Sequence, residues 1–313
     1  MLELVLLLLF VGTFIYGMFL FSKGLFNFSG ESLNSWLFKL TGSPWKGLLV
    51  GTIVTAVLNS SSAVMVITIG LISARILTFP QAFGIILGAN IGTTIDAEII
   101  TLDINSLIIP MAIVGAILAL VKGKVLHSTG IILLGLAAVF GAMWGFEYLA
   151  DPLVELPFIN NILEAIGNNA FYAVLAGIVI AGTIQSSSAT VGLAMGFLSA
   201  GIMELETAVG IMLGANIGTC VDVLFAGYVS RTREALQTAW AHVWINVLGV
   251  AAFFPLIGLL TSLGEKLASS PDAQLAHVSV IFNVMVSLIF LPFAKPFGKL
   301  IEKIYGGKNS TSL

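Results

Sequence analysis

Apolar residues along most of this chain run in unbroken stretches; they neither alternate nor keep to one helix face. A stretch that is hydrophobic all round reads as a helix surrounded by protein or lipid. Met1 to Phe21, Phe79 to Ile95, Asn105 to Val121, His127 to Gly145, Leu236 to Leu260 and Val278 to Phe293 are of this kind. Each is near the roughly 20 residues that cross a bilayer. Two other apolar segments, Trp45 to Ala74 and Ala170 to Ala200, carry polar runs at their centres: LNSSSA at Leu58 to Ala63 and TIQSSSAT at Thr183 to Thr190. Their halves, of about 12 residues at about 1.5 Å per residue, are too short to span. Each segment is therefore expected to be a re-entrant hairpin that turns at its serines.

The pattern repeats. Ser60 to Asp96 aligns without a gap on Ser186 to Asp222 at a constant offset of 126, with about half the positions identical. Ser60 to Ala63 matches Ser186 to Ala189, GANIGT at Gly88 to Thr93 matches Gly214 to Thr219, and Asp96 matches Asp222. Duplication divides the chain into units at 1–124 and 127–262, with 277–313 as a C-terminal span and basic tail. Three crossings in the first unit would invert the second. The basic clusters should face the cytoplasm: Lys39 with Lys46, Lys122 with Lys124, Arg231 with Arg233, and Lys295, Lys299, Lys303 and Lys308. The connections Asp96 to Asp103, Glu147 to Glu164 and Glu265 to Asp272 then lie outside. The expected fold is an all-α polytopic membrane protein with two inverted-topology repeats, each with a re-entrant helical hairpin, plus a C-terminal span. Such an architecture puts substrate and ions near the midplane, where the copies meet.

Composition narrows the class. Of 313 residues 58% are hydrophobic and 9% charged, and mean hydropathy is +1.06, whereas soluble domains carry about 25% charged residues. A net charge of −3 gives no basic footprint for nucleic acid. Cys220 is the single cysteine, which excludes an internal disulfide. Glu3 stands where a signal peptide would be basic, and no cleavage site follows, so Met1 to Phe21 reads as a mature first span.

Successive serines cannot share one helix face. At a break between two half-helices, however, their hydroxyls and the freed backbone N–H groups can converge on an anion; the alternative is hydrogen bonding to the helices themselves. Asn90 with Thr93 and Asn216 with Thr219 offer oxygens at i and i+3, a donor set that suits Na⁺, although the Gly-xxx-Gly spacing around them equally serves helix packing. Asp96 and Asp222 are coupling acids or solvated span ends. His242 with Asn246, and His277 with Asn283, read as polar contacts between helices. No nucleophile elbow, zinc motif or phosphate loop is present, and no base accompanies the serines, which argues against an enzyme. With no Lys or Arg in the hairpins except the flanking Lys46 and Arg75, a bound anion needs co-bound cations, so ion coupling is expected.

Two QSSS-type elements, each followed at the same distance by GANIGT, resemble the sodium-dependent phosphate cotransporter type II family. FIYGMFLFSKGL, TGSPWKGLLVGTIVTAVLNSSSA, GTIQSSSAT, AHVWIN and AHVSVIFN are similar to it as well. The resemblance implies Na⁺-coupled uptake of inorganic phosphate by alternating access in the cell (inner) membrane. Phosphate would lie between Asn59, Ser60, Ser61, Ser62 and Gln185, Ser186, Ser187, Ser188. The GANIGT residues, with Gln185, Ser61 and Ser187, would contribute to sodium sites. Transport of another oxyanion, phosphate export, and a membrane phosphate sensor are the alternative readings. The chain departs from the family pattern at Asn59, where Gln is usual, and at Asp96 and Asp222, where small residues such as Thr or Ala are usual.

Overall fold

The computed structural model describes residues 2–39, 42–102, 104–167 and 169–305; Asp103 and the end of the basic tail, with Lys308, lie outside the described residues. Among the described residues the chain is helical with no strand. The helices are α1 (Leu2–Lys39), α2 (Pro44–Leu58), α3 (Ser61–Ser73), α4 (Phe79–Ile100), α5 (Ile108–Ala119), α6 (Lys124–Val154), α7 (Pro157–Gly167), α8 (Ala170–Ile184), α9 (Ser187–Ser199), α10 (Leu205–Gly218), α11 (Cys220–Val229), α12 (Arg233–Phe253), α13 (Ile257–Leu267), α14 (Pro271–Phe290) and α15 (Ala294–Tyr305). Among the described residues six helical stretches are long and apolar enough to cross a membrane: 2–28, 79–100, 124–154, 205–229, 233–267 and 271–305. The crossing expected at Asn105 to Val121 is shorter than these. A 3-10 turn at Asn105–Leu107 precedes the 12-residue α5, and Gly123, at φ +144, turns the chain into α6.

Both serine motifs fall at helix breaks. α2 begins with Ser43 as N-cap and Pro44 in its first turn, and it ends at Asn59 in the left-handed region (φ 51, ψ 38). Ser60 then caps α3, its Oγ accepting from the Ala63 N–H at 3.2 Å. The second motif repeats this. Gln185 ends α8 at φ 58, ψ 33, and Ser186 caps α9 by accepting from the Ala189 N–H at 3.1 Å.

Glycines fix the direction of the chain after each break. A Cβ on Gly84 would stand 2.1 Å from the Pro44 carbonyl oxygen, one on Gly88 2.1 Å from that of Leu48, and one on Gly92 2.5 Å from that of Thr52. α2 and α4 therefore lie backbone against backbone and run parallel. α3 joins the end of α2 to the start of α4 through short connections, so it must run back antiparallel to both. The second copy is built alike: a Cβ on Gly214 would stand 2.0 Å from the Val174 carbonyl oxygen and one on Gly218 2.5 Å from that of Ile178, so α8 and α10 run parallel and α9 returns antiparallel to both. Small residues at such contacts let helices approach closely.

The first helices of the two copies also meet. Gly17 faces Gly135 and Ala138, Gly24 faces Ser128 and Ile132, and Phe10 covers Gly145; position rises along α1 as it falls along α6, so the two run antiparallel. Each returning helix then packs into the other copy. Gly192 of α9 lies against Phe14 of α1 and Ile100 of α4, while α3 packs on α11 and α12.

Candidate anion and cation site

The crossed packing brings the two serine turns together. All eight residues expected to bind phosphate line one cavity of about 280 Å³: Asn59, Ser60, Ser61 and Ser62 from the first turn, and Gln185, Ser186, Ser187 and Ser188 from the second. Ile15, Met18 and Phe19 of α1 and Ile184 of α8 give it an apolar wall, and Ser22 and Thr219 add hydroxyls. None of these lining residues is charged. α3 and α9 both start at the cavity, so it receives two helix N-termini. The N–H groups of Ser61, Ser62, Ser187 and Ser188 belong to first turns, where a helix supplies no acceptor of its own. Unpaired first-turn donors at the edge of a space with no charged lining suit an anion.

Sequence reasoning did not single out Ser22. Its hydroxyl lies 2.8 Å from the Asn59 carbonyl and 3.0 Å from Asn59 Oδ1, which fixes the left-handed turn against α1. The only trace in the sequence is one serine in the apolar run FLFSKGL.

Asp96 is not a solvated span end. It lies inside α4 with 1% of its surface exposed, contrary to its expected place at the head of an external connection, because α4 continues to Ile100. The Asn59 amide donates to one carboxyl oxygen and Ser188 Oγ to the other at 2.5 Å. Asp96 thus ties its own serine turn to that of the other copy. Asp222 repeats one half of the arrangement, the contact to the opposite copy. It is half-buried, interacts with the Ser62 hydroxyl, and accepts from the Val223 N–H at 2.7 Å. Ser62 and Ser188 are equivalent under the 126-residue offset, as are Asp96 and Asp222, so the two acids exchange partners between the copies.

The residues assigned to sodium separate into three places. Ser61, Gln185 and Thr219 line the large cavity. Thr93 and Asn216 line a second, small cavity beside it, and Ser187 lines both. Asn90 lines neither. It is buried, and its amide donates to Asn246 Oδ1 at 3.1 Å. Asn246 in turn donates to the His242 carbonyl at 2.9 Å and contacts the Cys220 sulfur at 3.5 Å, so the AHVWIN motif does make an interhelical polar contact. In the AHVSVIFN motif His277 pairs with Glu98 at 2.9 Å.

The Na⁺/Pi-cotransporter family profile matches residues 13–150 and 153–289. The "Uncharacterized protein YqeW" of Bacillus subtilis (strain 168) is 37% identical over 296 residues, covering 94% of this chain and 96% of that protein. The "Putative inorganic phosphate export protein YjbB" of Escherichia coli (strain K12) is 25% identical over 313 residues, and the match spans 97% of this chain but 56% of YjbB. The "Sodium-dependent phosphate transport protein 2A" of Oryctolagus cuniculus is 31% identical over 129 residues, 38% of this chain and 20% of that protein. No solved structure matches the chain. By its profile match and by its likeness to YqeW, the chain belongs to the Na⁺/Pi-cotransporter family.

Proposed function

We propose that this protein is a secondary transporter that moves inorganic phosphate across the cell membrane together with Na⁺, phosphate lying in the cavity between the two serine turns. The observation that carries the reading is the convergence of α3 and α9, with Ser60–Ser62 and Ser186–Ser188, on one uncharged polar cavity. Phosphate is at least singly charged, and no Lys or Arg lines that cavity. Co-bound Na⁺ supplies the missing positive charge, and that requirement is the physical origin of coupling. Asp96 and Asp222 serve as coupling acids, since Asp96, on the helix of the first GANIGT, and Asp222, on α11 just after the second, each reach the serine turn of the opposite copy.

In this reading α2–α3 and α8–α9 are re-entrant hairpins that meet near the midplane, and the duplicated halves have inverted topology. Antiparallel packing of α1 on α6 supports the inversion. Alternating access then follows from rocking one hairpin and its supporting helix against the other around a fixed site.

Phosphate uptake by proteoliposomes under an inward Na⁺ gradient tests the reading. Accumulation that requires Na⁺ and is absent with K⁺ is expected; equal uptake in both sinks the sodium coupling. The likeness to YjbB favours a second reading, net export. In preloaded vesicles an exporter releases phosphate against the direction an inward Na⁺ gradient would drive it, whereas the symporter releases it only when that gradient is removed or reversed.

A further inference from the structure

Lys23 interrupts the apolar run FLFSKGL in the first span, 2–28. Its neighbour Ser22 lies 2.8 Å from the Asn59 carbonyl oxygen, so its depth can be counted along α2. The 15 residues of α2, at about 1.5 Å each, carry the chain about 22 Å to the serine turn. That is more than half of a hydrocarbon core of about 30 Å. α8, also 15 residues long, carries Gln185 as far from its own start. Lys23 therefore stands level with the serine turns, too deep for a four-carbon stem to return its ammonium to a membrane surface.

Lys23 is nevertheless exposed, as is Gln185 of the phosphate cavity. An ammonium in hydrocarbon is costly, and lysines within spans find an acid or face a water-filled space. Among the described residues no acid pairs with Lys23. Its ammonium lies instead 5.8 Å from the centroid of the Phe19 ring, within cation–π range. Phe19 lines the cavity and is 57% exposed, so it forms the rim. The lining residues of α1, Ile15, Met18, Phe19 and Ser22, recur at spacings of three and four and share one helix face. Lys23, four residues after Phe19, borders that face on the Phe19 side.

We propose that Lys23 stands in the aqueous approach to the phosphate cavity and supplies the fixed positive charge that draws the anion in. A charge focused at the mouth of a cleft raises the local concentration of an oppositely charged ligand and its rate of association. Lys23 is not among the residues that line the cavity, so phosphate passes from the ammonium to the serine hydroxyls and helix N-termini, and its charge in the cavity is still balanced by co-bound cations. The proposal rests on the phosphate-transport reading above for the identity of the anion. The water-filled approach is a separate claim and is tested separately.

The approach is tested with full-length Lys23→Cys protein in proteoliposomes, treated from each side in turn with a hydrophilic, membrane-impermeant methanethiosulfonate; native Cys220 is buried. Reaction from one side or both, slowed by inorganic phosphate, is expected. No reaction from either side places position 23 in lipid and overturns the proposal, as does a reaction rate indifferent to phosphate. The charge is tested by Na⁺-driven uptake. Lys23→Gln should raise the phosphate concentration for half-maximal uptake about tenfold, the lower end of what a focused charge contributes to association, with a smaller change in the maximal rate. Lys23→Arg should restore the wild-type value. Added choline chloride at constant Na⁺ should narrow the gap between wild type and Lys23→Gln, because salt screens a charge at the rim. Half-maximal concentration unchanged in Lys23→Gln, or raised equally in Lys23→Arg, refutes the role of the charge. Phosphate-sensitive labelling of vesicles that move no phosphate under any gradient upholds the approach and refutes the transport function. Na⁺-driven uptake with an unreactive Lys23→Cys does the reverse.

Discussion

Asn59 and Asp96 depart from the family pattern as separate residues in the sequence, and the fold makes them one pair, the amide of the first donating to the carboxyl of the second. A shortened amide at position 59 thus meets an acid at position 96. Removing that acid leaves the Asn59 amide and the Ser188 hydroxyl without their acceptor, and an unmade buried hydrogen bond costs about 1–3 kcal/mol. Asp96→Ala should therefore lower the unfolding temperature and reduce Na⁺-driven phosphate uptake at least tenfold. Ser188→Ala, which leaves the bond from Asn59 in place, should be the less destabilised of the two; equal losses in thermal unfolding would refute this ranking. Gln185 separates backbone from side chain in another way. It holds φ 58 as a residue with a Cβ, a conformation glycine adopts freely. Gln185→Gly should raise stability by about 1 kcal/mol while weakening phosphate binding, because the amide at the cavity is lost. A stabilised variant with undiminished phosphate affinity would remove Gln185 from the site.

At the scale of elements, the serine motifs marked where helices break, because runs of hydroxyls in an apolar setting need partners that one continuous helix does not provide. The positions of those runs also set the helix lengths, 15 and 13 residues in each copy. Sequence alone did not reveal that α4 carries Asp96 into the interior: an acid beside Glu98 and Asp103 looks like a solvated end until the partners Asn59 and Ser188, distant in sequence, are brought to it. The glycines were legible as packing residues but not as indicators of direction. A Cβ at position 214 would lie 2.0 Å from the Val174 carbonyl oxygen, and backbone there cannot yield as a flexible side chain would. Gly214→Ala should destabilise the α8–α10 pair by about 1–3 kcal/mol or more, the range for overpacking. Gly70, in α3, has nothing within 4 Å of its added Cβ, so Gly70→Ala should be neutral or stabilise by up to about 1 kcal/mol. Thermal unfolding of both variants in one detergent checks the contrast, and similar behaviour would contradict the close backbone packing.

For the whole molecule, the proposed mechanism depends on the copies facing opposite sides of the membrane. In the proposed topology the two hairpins enter the shared cavity from opposite directions, a reading supported by the exchange of partners, Asp96 with Ser188 and Asp222 with Ser62, and by the antiparallel packing of α1 on α6. In that topology the α2 end of the first hairpin, with Lys46, faces the cytoplasm, as its positive charge suggests. Its counterpart at the offset of 126 is Tyr172, near the start of α8. Both side chains are exposed, and the native thiol of Cys220 is buried, so an introduced cysteine reports its own position. In right-side-out vesicles a membrane-impermeant maleimide should label Tyr172→Cys and spare Lys46→Cys, and in inside-out vesicles the preference should reverse. Labelling of both from the same side would mean that the duplicated halves are parallel. The two turns would then approach from one face, and opening either hairpin would expose the phosphate cavity to the same compartment, which is incompatible with alternating access.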